Sequence, residues 1–288
     1  MKIALIYNKD CEFTTGVHIE KVIKDAAIDY THFWTKDAHC IPGEFDLYFR
    51  IDHGDYKYDI PQNLRPAVFY VIDTHLKKPY KKIKGQVSHY DVIFCAQKDG
   101  SERLRREARV DAQWVPLAAD PQIHQKKEVP LAYDIGFVGR DAKKFARKRH
   151  LALLREKYPN SFIGTADYRK IGDIYSASKI GFNSSIMNDI NMRIFEILAS
   201  GSFLLTNYIK DNGLEKLFQD KKHLVTYRND SQLLELVEYY LKNEKERQRI
   251  AQEGYACVLN KHTYYHRVQS MFNYIAFKFG IKYNRLRI

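Results

Sequence analysis

Cysteine is scarce in this chain, with 4 in 288 residues. The cysteines include no C-x-x-C pair, so they predict neither a zinc site nor a disulfide framework. They lie far apart, at Cys11, Cys40, Cys95 and Cys257. Long apolar runs are also lacking, because residues 1–7 are too short for the core of a signal peptide and no run could span a bilayer. We therefore expect a soluble protein in the reducing cytoplasm.

Several familiar site motifs are missing as well. The chain has no Asp-x-Asp triplet, so we predict no metal and expect phosphate groups to be held by protein cations and helix amides. The dinucleotide fingerprint G-x-G-x-x-G is absent. No zinc-finger or RNA-recognition signature is present, and neither low complexity nor a short-period repeat interrupts the chain.

Acidic residues are under-represented only in the second half. Residues 1–120 contain 18 Lys and Arg against 18 Asp and Glu, whereas residues 121–288 contain 29 against 17, which accounts for the net charge of +12. An anionic ligand is therefore expected in the second half. Residues 266–288 form a basic aromatic tail. This tail either lies on anionic lipid or nucleic acid, or packs its aromatics on the first half with its charges in water. We expect the packed tail.

Short apolar segments alternate with amphipathic segments along the chain. This alternation predicts an α/β protein with two facing, doubly wound Rossmann-like domains. We place the first domain at 1–120, a polar linker at 121–132, the second domain at 133–265 and a helical tail at 266–288. Ligands of such folds collect at the carboxyl ends of the strands. The strands predicted in the first domain are 3–7, 47–51, 67–72, 92–96 and 112–116.

The most informative stretch runs from Asn188 to Thr206. Its pattern predicts a polar loop, a short amphipathic helix closed by Gly201, and a buried strand. The apolar stripe of this helix consists of Met192, Phe195 and Ala199.

The other side of the predicted helix carries Arg193 and Glu196, which are three residues apart and share a face. Asp189 or Asn191 is available as the N-cap, and the positive end of the helix dipole points into the preceding loop. An anion could bind there. The alternative is a surface helix with an ordinary charged pair.

This helix resembles the donor-binding helix of sugar-nucleotide-dependent glycosyltransferases of the GT-B type. The pattern in that family is Arg-x-x-Glu-x-x-Ala-x-Gly before a hydrophobic strand, and it is matched here by Arg193, Glu196, Ala199 and Gly201. The family's glutamate accepts hydrogen bonds from the ribose hydroxyls of the donor, so the resemblance implies this role for Glu196. Many retaining members have a second acid eight positions earlier, where this chain has Asn188 beside Asp189. The stereochemical outcome is left open.

Further segments at 69–75, 91–121, 134–140 and 213–266 extend the resemblance over most of the chain, closest to the spore-maturation-protein-like glycosyltransferase group. Relatives use an Arg and a Lys after the strand at 134–140 to neutralise the leaving diphosphate, which implies Arg140 with Lys144 or Lys143. The nucleoside is expected near 164–168. The small-residue turn at Gly16 either approaches the donor phosphates or is a plain helix start.

Two groups of residues follow from these arguments. Arg147, Lys148 and Arg149 are predicted to be solvated. The predicted donor-binding residues are Gly16, Gly139, Arg140, Lys144, Thr165, Tyr168, Asn188, Asp189, Asn191, Met192, Arg193 and Glu196.

The acid–base candidate is His75, just after the strand at 67–72. Imidazole titrates near neutrality, which suits proton transfer from an acceptor hydroxyl, and Asp73 is expected to orient the ring. The second loop of this kind offers Asp52 and His53 as runners-up. A structural histidine is the alternative.

The sequence thus predicts a glycosyltransferase that moves a sugar from a nucleoside-diphosphate sugar, such as a UDP-sugar, to an unidentified acceptor hydroxyl. Neither metal nor cofactor is expected. The acceptor is expected to be an anionic glycan, lipid-linked or polymeric, with peripheral contact to the inner membrane through the basic tail left open. The alternatives are a catalytically silent sugar-nucleotide binder and a nucleic-acid-binding or nucleic-acid-modifying protein.

Overall fold

The computed structural model describes residues 1–141 and 146–283, and the chain divides into two compact units. The first unit consists of Met1–Leu117 with the described part of Tyr264–Ile288, and the second unit consists of Ala118–Thr263. Each unit is an α/β domain built on one parallel sheet. The predicted fold class, two doubly wound domains with a helical carboxyl-terminal region, is confirmed.

Among the described residues of the first unit, the sheet has six strands in the order β2-β1-β3-β4-β5-β6. Its strands are β1 (Lys2–Ile6), β2 (Asp29–Phe33), β3 (Leu47–Ile51), β4 (Ala67–Val71), β5 (Val92–Cys95) and β6 (Ala112–Trp114). Its helices are α1 (Thr15–Asp25), α2 (Lys77–Gln86), α3 (Lys98–Ala108) and α10 (Tyr264–Phe279).

Strand β2 was not among the predicted strands. It lies at the edge of the sheet and pairs with β1 alone. Its sequence Asp-Tyr-Thr-His-Phe leaves the side chains partly or fully exposed. An edge strand needs no continuous apolar run, so the apolar pattern that marks buried parallel strands is missing here.

The described part of the second unit has a sheet of five strands in the order β11-β10-β9-β7-β8. Its strands are β7 (Tyr133–Val138), β8 (Phe162–Gly164), β9 (Ser178–Asn183), β10 (Phe203–Asn207) and β11 (Val225–Tyr227). Its helices are α4 (Ala146–Lys157), α5 (Ile171–Ser176), α6 (Met192–Ala199), α7 (Leu214–Leu217), α8 (Asp230–Lys242) and α9 (Glu244–Lys261).

The strand order of the second unit reverses at β7. That strand pairs with β8 on one side and with β9 on the other, so the crossovers diverge and open a crevice at the carboxyl ends of β7 and β9. Helix α6 packs closely against β9 because residue 181 is glycine. A Cβ at Gly181 would lie 2.3 Å from the Ile197 side chain. The crevice and α6 together position the candidate site.

Helix α10 packs against α1 within the first unit. Its Arg267 is buried and donates to the carbonyl of Pro116 at 2.8 Å, and its Tyr274 donates to the carboxylate of Asp111 at 2.8 Å. Phe277 is 88% exposed. No helix in the described ranges has the length and apolar character needed to cross a membrane.

Candidate functional site

The predicted donor helix α6 begins at the carboxyl edge of the second unit's sheet. Asn191, one of the two predicted N-caps, occupies the N-cap position with φ −77° and ψ 165°. Its side chain does not cap the helix, and its Nδ2 donates to Ser185 Oγ at 3.4 Å. Within the described part of the chain, Asn191 Oδ1 is buried with no hydrogen-bond partner. A buried acceptor of this kind is costly unless another group donates to it.

The guanidinium of Arg193 is fixed at the ends of β7 and β9. Its Nε donates to the Val138 carbonyl at 2.8 Å and its Nη1 donates to Asn183 Oδ1 at 3.1 Å. The group also lies over the ring of Phe137, 4.5 Å from the ring centroid. Asn183 is itself held by its Nδ2, which donates to Thr206 Oγ1 at 2.9 Å. The cation is therefore preorganised at the crevice.

Gly139 lies directly against this guanidinium. Its φ is +148°, and a Cβ there would come within 2.3 Å of Arg193 Nη2. Its amide donates to the Gly164 carbonyl at 2.7 Å. Arg140, the next residue, is exposed. Lys144, the other cation predicted to bind phosphate, lies outside the described residues.

Arg147 corrects one expectation, because it is only 8% exposed and not solvated. It lies on the buried face of α4 together with Leu151 and Leu154. Its Nε donates to the carbonyl of Ser184 at 2.7 Å. Lys148 and Arg149 are exposed, as predicted.

The positive charges of Arg147 and Arg193 act on each other. Burial, together with the charge of Arg193, lowers the pKa of Arg147 to about 10, and the carboxylate of Asp189 opposes this shift. Among the described residues, neither guanidinium forms an ion pair with a carboxylate within 4.0 Å. One buried and one partly buried cation at the same sheet edge favour the binding of an anion.

Glu196 lies one helical turn after Arg193, and its side chain is 14% exposed. Burial raises the pKa of its carboxyl to about 7, although the charge of Arg193 acts in the opposite direction. Its Oε1 lies 3.7 Å from Nε2 of His124. The segment predicted as a linker therefore contributes a buried side chain beside the predicted ribose ligand.

The predicted nucleoside segment follows β8. Thr165 is exposed, and Asp167 caps a short 3-10 helix by accepting from the Arg169 amide at 2.9 Å. Tyr168 meets the His124 ring edge-on, with ring centroids 6.3 Å apart. The tyrosine and Glu196 therefore flank the same histidine.

The loop before α6 is unusual in its backbone. Met187 and Asn188 have φ values of +50° and +60°. The Asn188 carbonyl accepts from Asn212 Nδ2 at 2.5 Å. This hydrogen bond fixes the backbone at Asn188, whereas the side chain of Asp189 acts on Arg147 through its charge.

A cavity of about 780 Å³ follows β9, β10 and β11 on the same sheet edge. His150 lies in its wall, only 6% exposed, with Nδ1 3.1 Å from Ser184 Oγ and 3.0 Å from Tyr227 Oη. Its Nε2 lies 3.3 Å from Asp230 Oδ1, and burial lowers the pKa of the ring. Sequence reasoning missed this group, although polar residues after three successive strands were a usable signal.

His75 and Asp73 follow β4 in the first unit, and both are partly buried. Nδ1 of His75 is buried without a hydrogen-bond partner in the described residues. Thr74 between them is fully buried and donates to Gln97 Oε1 at 3.1 Å. This hydrogen bond anchors the turn between Asp73 and His75.

The carboxylate of Asp52 is 6% exposed and already occupied. It accepts from the Gly54 amide at 2.9 Å and from the Ile72 amide and Tyr56 Oη at 3.0 Å. Such a carboxylate holds its loop together. His53 is 3.5 Å from a carboxylate oxygen of Asp10.

Gly16 is explained by packing. A Cβ there would lie 2.2 Å from the ring of Tyr7. The hydroxyl of that tyrosine donates to Glu20 at 2.5 Å, and Lys9 Nζ donates to the other oxygen of the same carboxylate at 2.6 Å. The glycine thus allows α1 to approach the end of β1.

Residues 135–273, just under half of the chain, match a family model described as glycosyl transferase-like. A comparison with curated protein sequences found no match.

Solved structures resemble the whole chain. An alpha-glucosyltransferase in complex with UDP and a 13-mer DNA has a TM-score of 0.71 at 12% identity, covering 96% of this chain and 99% of that one. Anabaena HepE in complex with UDP and glucose has a TM-score of 0.68 at 10% identity, covering 96% and 99%. Sucrose-phosphate synthase from Thermosynechococcus elongatus has a TM-score of 0.68 at 10% identity, covering 97% and 99%. These likenesses establish the GT-B fold.

Proposed function

We propose that this chain is a glycosyltransferase that transfers a sugar from a nucleoside-diphosphate sugar to an acceptor hydroxyl. The carrying observation is the pair of guanidiniums, the buried Arg147 and the partly buried Arg193, at the strand-order reversal of a glycosyl transferase-like domain. Two cations that form no ion pair with a carboxylate of the described residues suit a dianionic diphosphate. UDP is the proposed carrier, because similar structures hold UDP.

In this proposal the diphosphate lies on Arg193 and Arg147, with Arg140 and the first amides of α6 nearby, and Lys144 is proposed from the sequence as a further phosphate ligand. These groups stabilise the negative charge that develops on the leaving diphosphate as the glycosidic bond breaks. The ribose diol donates to Glu196, and Asn191 Oδ1 is a second acceptor for a donor hydroxyl.

The base is proposed to lie by Thr165 and Tyr168. Gly139 gives the donor phosphates access to the end of β7. Asn188, Asp189 and Met192 complete the proposed donor site at the start of α6.

His75 remains the proposed acid–base group, oriented by Asp73. The unpartnered Nδ1 supports this, because a proton-transfer group needs a nitrogen that other side chains do not occupy. Asp52 and His53 are weaker candidates, because the Asp52 carboxylate already accepts three hydrogen bonds.

The proposed reaction uses neither a metal nor a cofactor, because protein cations take the role of a chelated ion. We place it in the cytoplasm, at the inner membrane surface if the basic tail binds lipid. Membership of the spore-maturation-protein-like group remains a prediction.

The acceptor is proposed to be polyanionic. Helix α2 begins two residues after His75 and exposes the five lysines Lys77, Lys78, Lys81, Lys82 and Lys84, with no acid of its own. Cations at a helix start oppose the dipole, so an anionic partner would offset their repulsion. The same surface favours nucleic acid as the second candidate acceptor, and one similar structure contains DNA.

A thermal-shift series with sugar nucleotides tests the proposed function. A ligand at a hundredfold its Kd adds about 2.7 kcal/mol to stability. We expect UDP and at least one UDP-sugar to raise the melting temperature, and UDP release during incubation with that sugar to follow. A flat response to every sugar nucleotide would contradict the proposal. Binding without transfer to any acceptor would favour the silent binder.

A further inference from the structure

His124 is fully buried in the second unit, and a closed turn fixes its ring. The amides of Ile123 and His124 donate to the Asp120 carbonyl at 3.1 and 2.8 Å. The Asp120 amide in turn donates to Nδ1 of His124 at 3.1 Å. Because Nδ1 accepts a hydrogen bond, the proton of the neutral ring is on Nε2.

The backbone around this turn is seated against α5. A Cβ at Gly172 would lie 2.9 Å from the carbonyl oxygen of Gln125 and 3.0 Å from that of Ile123. Only glycine allows this approach, so the ring has little freedom to shift.

Nε2 of His124 points toward Glu196 and lies 3.7 Å from Oε1. The other described charged or titratable groups that act on Glu196 are Arg193 on α6 and Tyr175 on α5. Tyr168 lies at the edge of the histidine ring. Since the Arg193 guanidinium is engaged with Val138 and Asn183, His124 is the group placed to orient the carboxylate.

We propose that His124 is a positioning residue for the donor, because its Nε2–H holds the Glu196 carboxylate ionised and turned toward the ribose diol. This rests on the proposed function. The interaction is electrostatic, since 3.7 Å is longer than a hydrogen bond. Burial raises the pKa of Glu196 to about 7, so near neutral pH the carboxylate needs a nearby donor to stay ionised.

Loss of the donor beside Glu196 should change how UDP binding depends on pH. A donor beside a carboxylate favours the ionised form, so removing it raises the pKa of Glu196 further. Ribose hydroxyls donate best to the ionised form. Loss of the donor should therefore weaken UDP binding most at neutral pH and least at alkaline pH.

The test compares His124→Gln, whose amide reaches toward the Nε2 position, with His124→Asn, whose amide stops near Nδ1. Calorimetric UDP titrations from pH 5.5 to 9 should show wild-type affinity within about threefold for Gln. Asn should lose about fivefold at pH 7, and its affinity should recover toward pH 9, moving the midpoint of the pH dependence up by about one unit. Melting curves check that both variants fold, and His124→Phe serves as a second variant without a donor.

Four outcomes would overturn the proposal. The first is a loss in Asn and Phe that is the same at every pH, and the second is an equal loss in Gln. The third is wild-type failure to bind UDP at any pH, which also overturns the proposed function. The last is wild-type binding of UDP with an unshifted midpoint of the pH dependence in every variant, which would refute the role of His124 and leave the proposed function standing.

Discussion

Gly139 and Arg193 approach so closely that a Cβ at position 139 would lie 2.3 Å from Nη2 of the arginine. The φ of +148° at Gly139 is also one that L side chains rarely adopt. The absent side chain therefore lets the guanidinium reach the end of β7 and remain bonded to the Val138 carbonyl.

The variant Gly139→Ala should displace that guanidinium. We expect UDP affinity to fall about tenfold or more through the loss of charge-assisted bonds, with a destabilisation of about 1–3 kcal/mol from backbone strain. Calorimetry and thermal melts measure the two effects. Gly85→Ala is the control, because a Cβ there meets nothing within 4 Å. A destabilised variant with unchanged UDP affinity would separate Gly139 from the donor site.

The variant Glu196→Gln should be more stable than wild type at alkaline pH but should bind UDP more weakly. Burial raises the folded-state pKa of Glu196 to about 7 from its ordinary 4.5, so the folded protein binds the extra proton between these values. The stability that this proton provides is complete at low pH and is lost as pH rises through about 7.

Gln carries no charge, so the variant should melt a few degrees above wild type at pH 8 and close to it at pH 4.5. UDP binding should nevertheless weaken by roughly 1.5–3 kcal/mol, and equally for UDP and UDP-sugars, because the ribose is common to both. The exposed Glu215→Gln is the control. Unchanged UDP affinity would remove Glu196 from the site.

Chelators should leave transfer intact. The proposed diphosphate site consists of guanidiniums, so no divalent cation is needed to neutralise the leaving group. Product formation in EDTA should match that in untreated enzyme. Loss of activity that Mg²⁺ or Mn²⁺ restores would refute the assignment of this role to Arg147 and Arg193.

Charge reversal on α2 should weaken binding to polyanions. Among the described residues, Lys77, Lys78 and Lys81 have no ion-pair partner, so their triple replacement by Glu should reduce salt-dependent retention on duplex DNA or a phosphodiester glycan about tenfold or more. UDP affinity should stay unchanged. The matched control replaces the exposed Lys216, Lys221 and Lys222, which alters net charge by the same amount. If both triple variants reduce retention equally, the effect comes from net charge and not from the surface of α2.

The central strands and α6 could be predicted because their patterns are local. Short, continuously apolar segments that alternate with amphipathic segments indicate buried parallel strands and helices. The charged and apolar stripes of α6 recur at helical spacing. Edge strand β2 could not be found in this way, because its half-exposed side chains carry no such pattern.

The site was harder to predict, because its geometry depends on tertiary packing. The cluster of cations at the start of α4 predicts a solvated Arg147. Its spacing from Leu151 and Leu154, however, places it on the buried face of that helix. His124 lay in a polar segment that read as a linker. Its burial depends on Gly172, which is distant in sequence.

The central claim is that the guanidiniums of Arg147 and Arg193 hold the donor diphosphate, and the most direct measurement is a calorimetric UDP titration of Arg147→Gln beside Arg149→Gln. Arg149 is the matched control, because it lies on the same helix, its side chain is 65% exposed and it pairs with Asp230. The account predicts saturable wild-type binding, a loss of about tenfold or more in Arg147→Gln, and little change in Arg149→Gln. Equal UDP affinity in wild type and Arg147→Gln, or no binding by wild type, would contradict it.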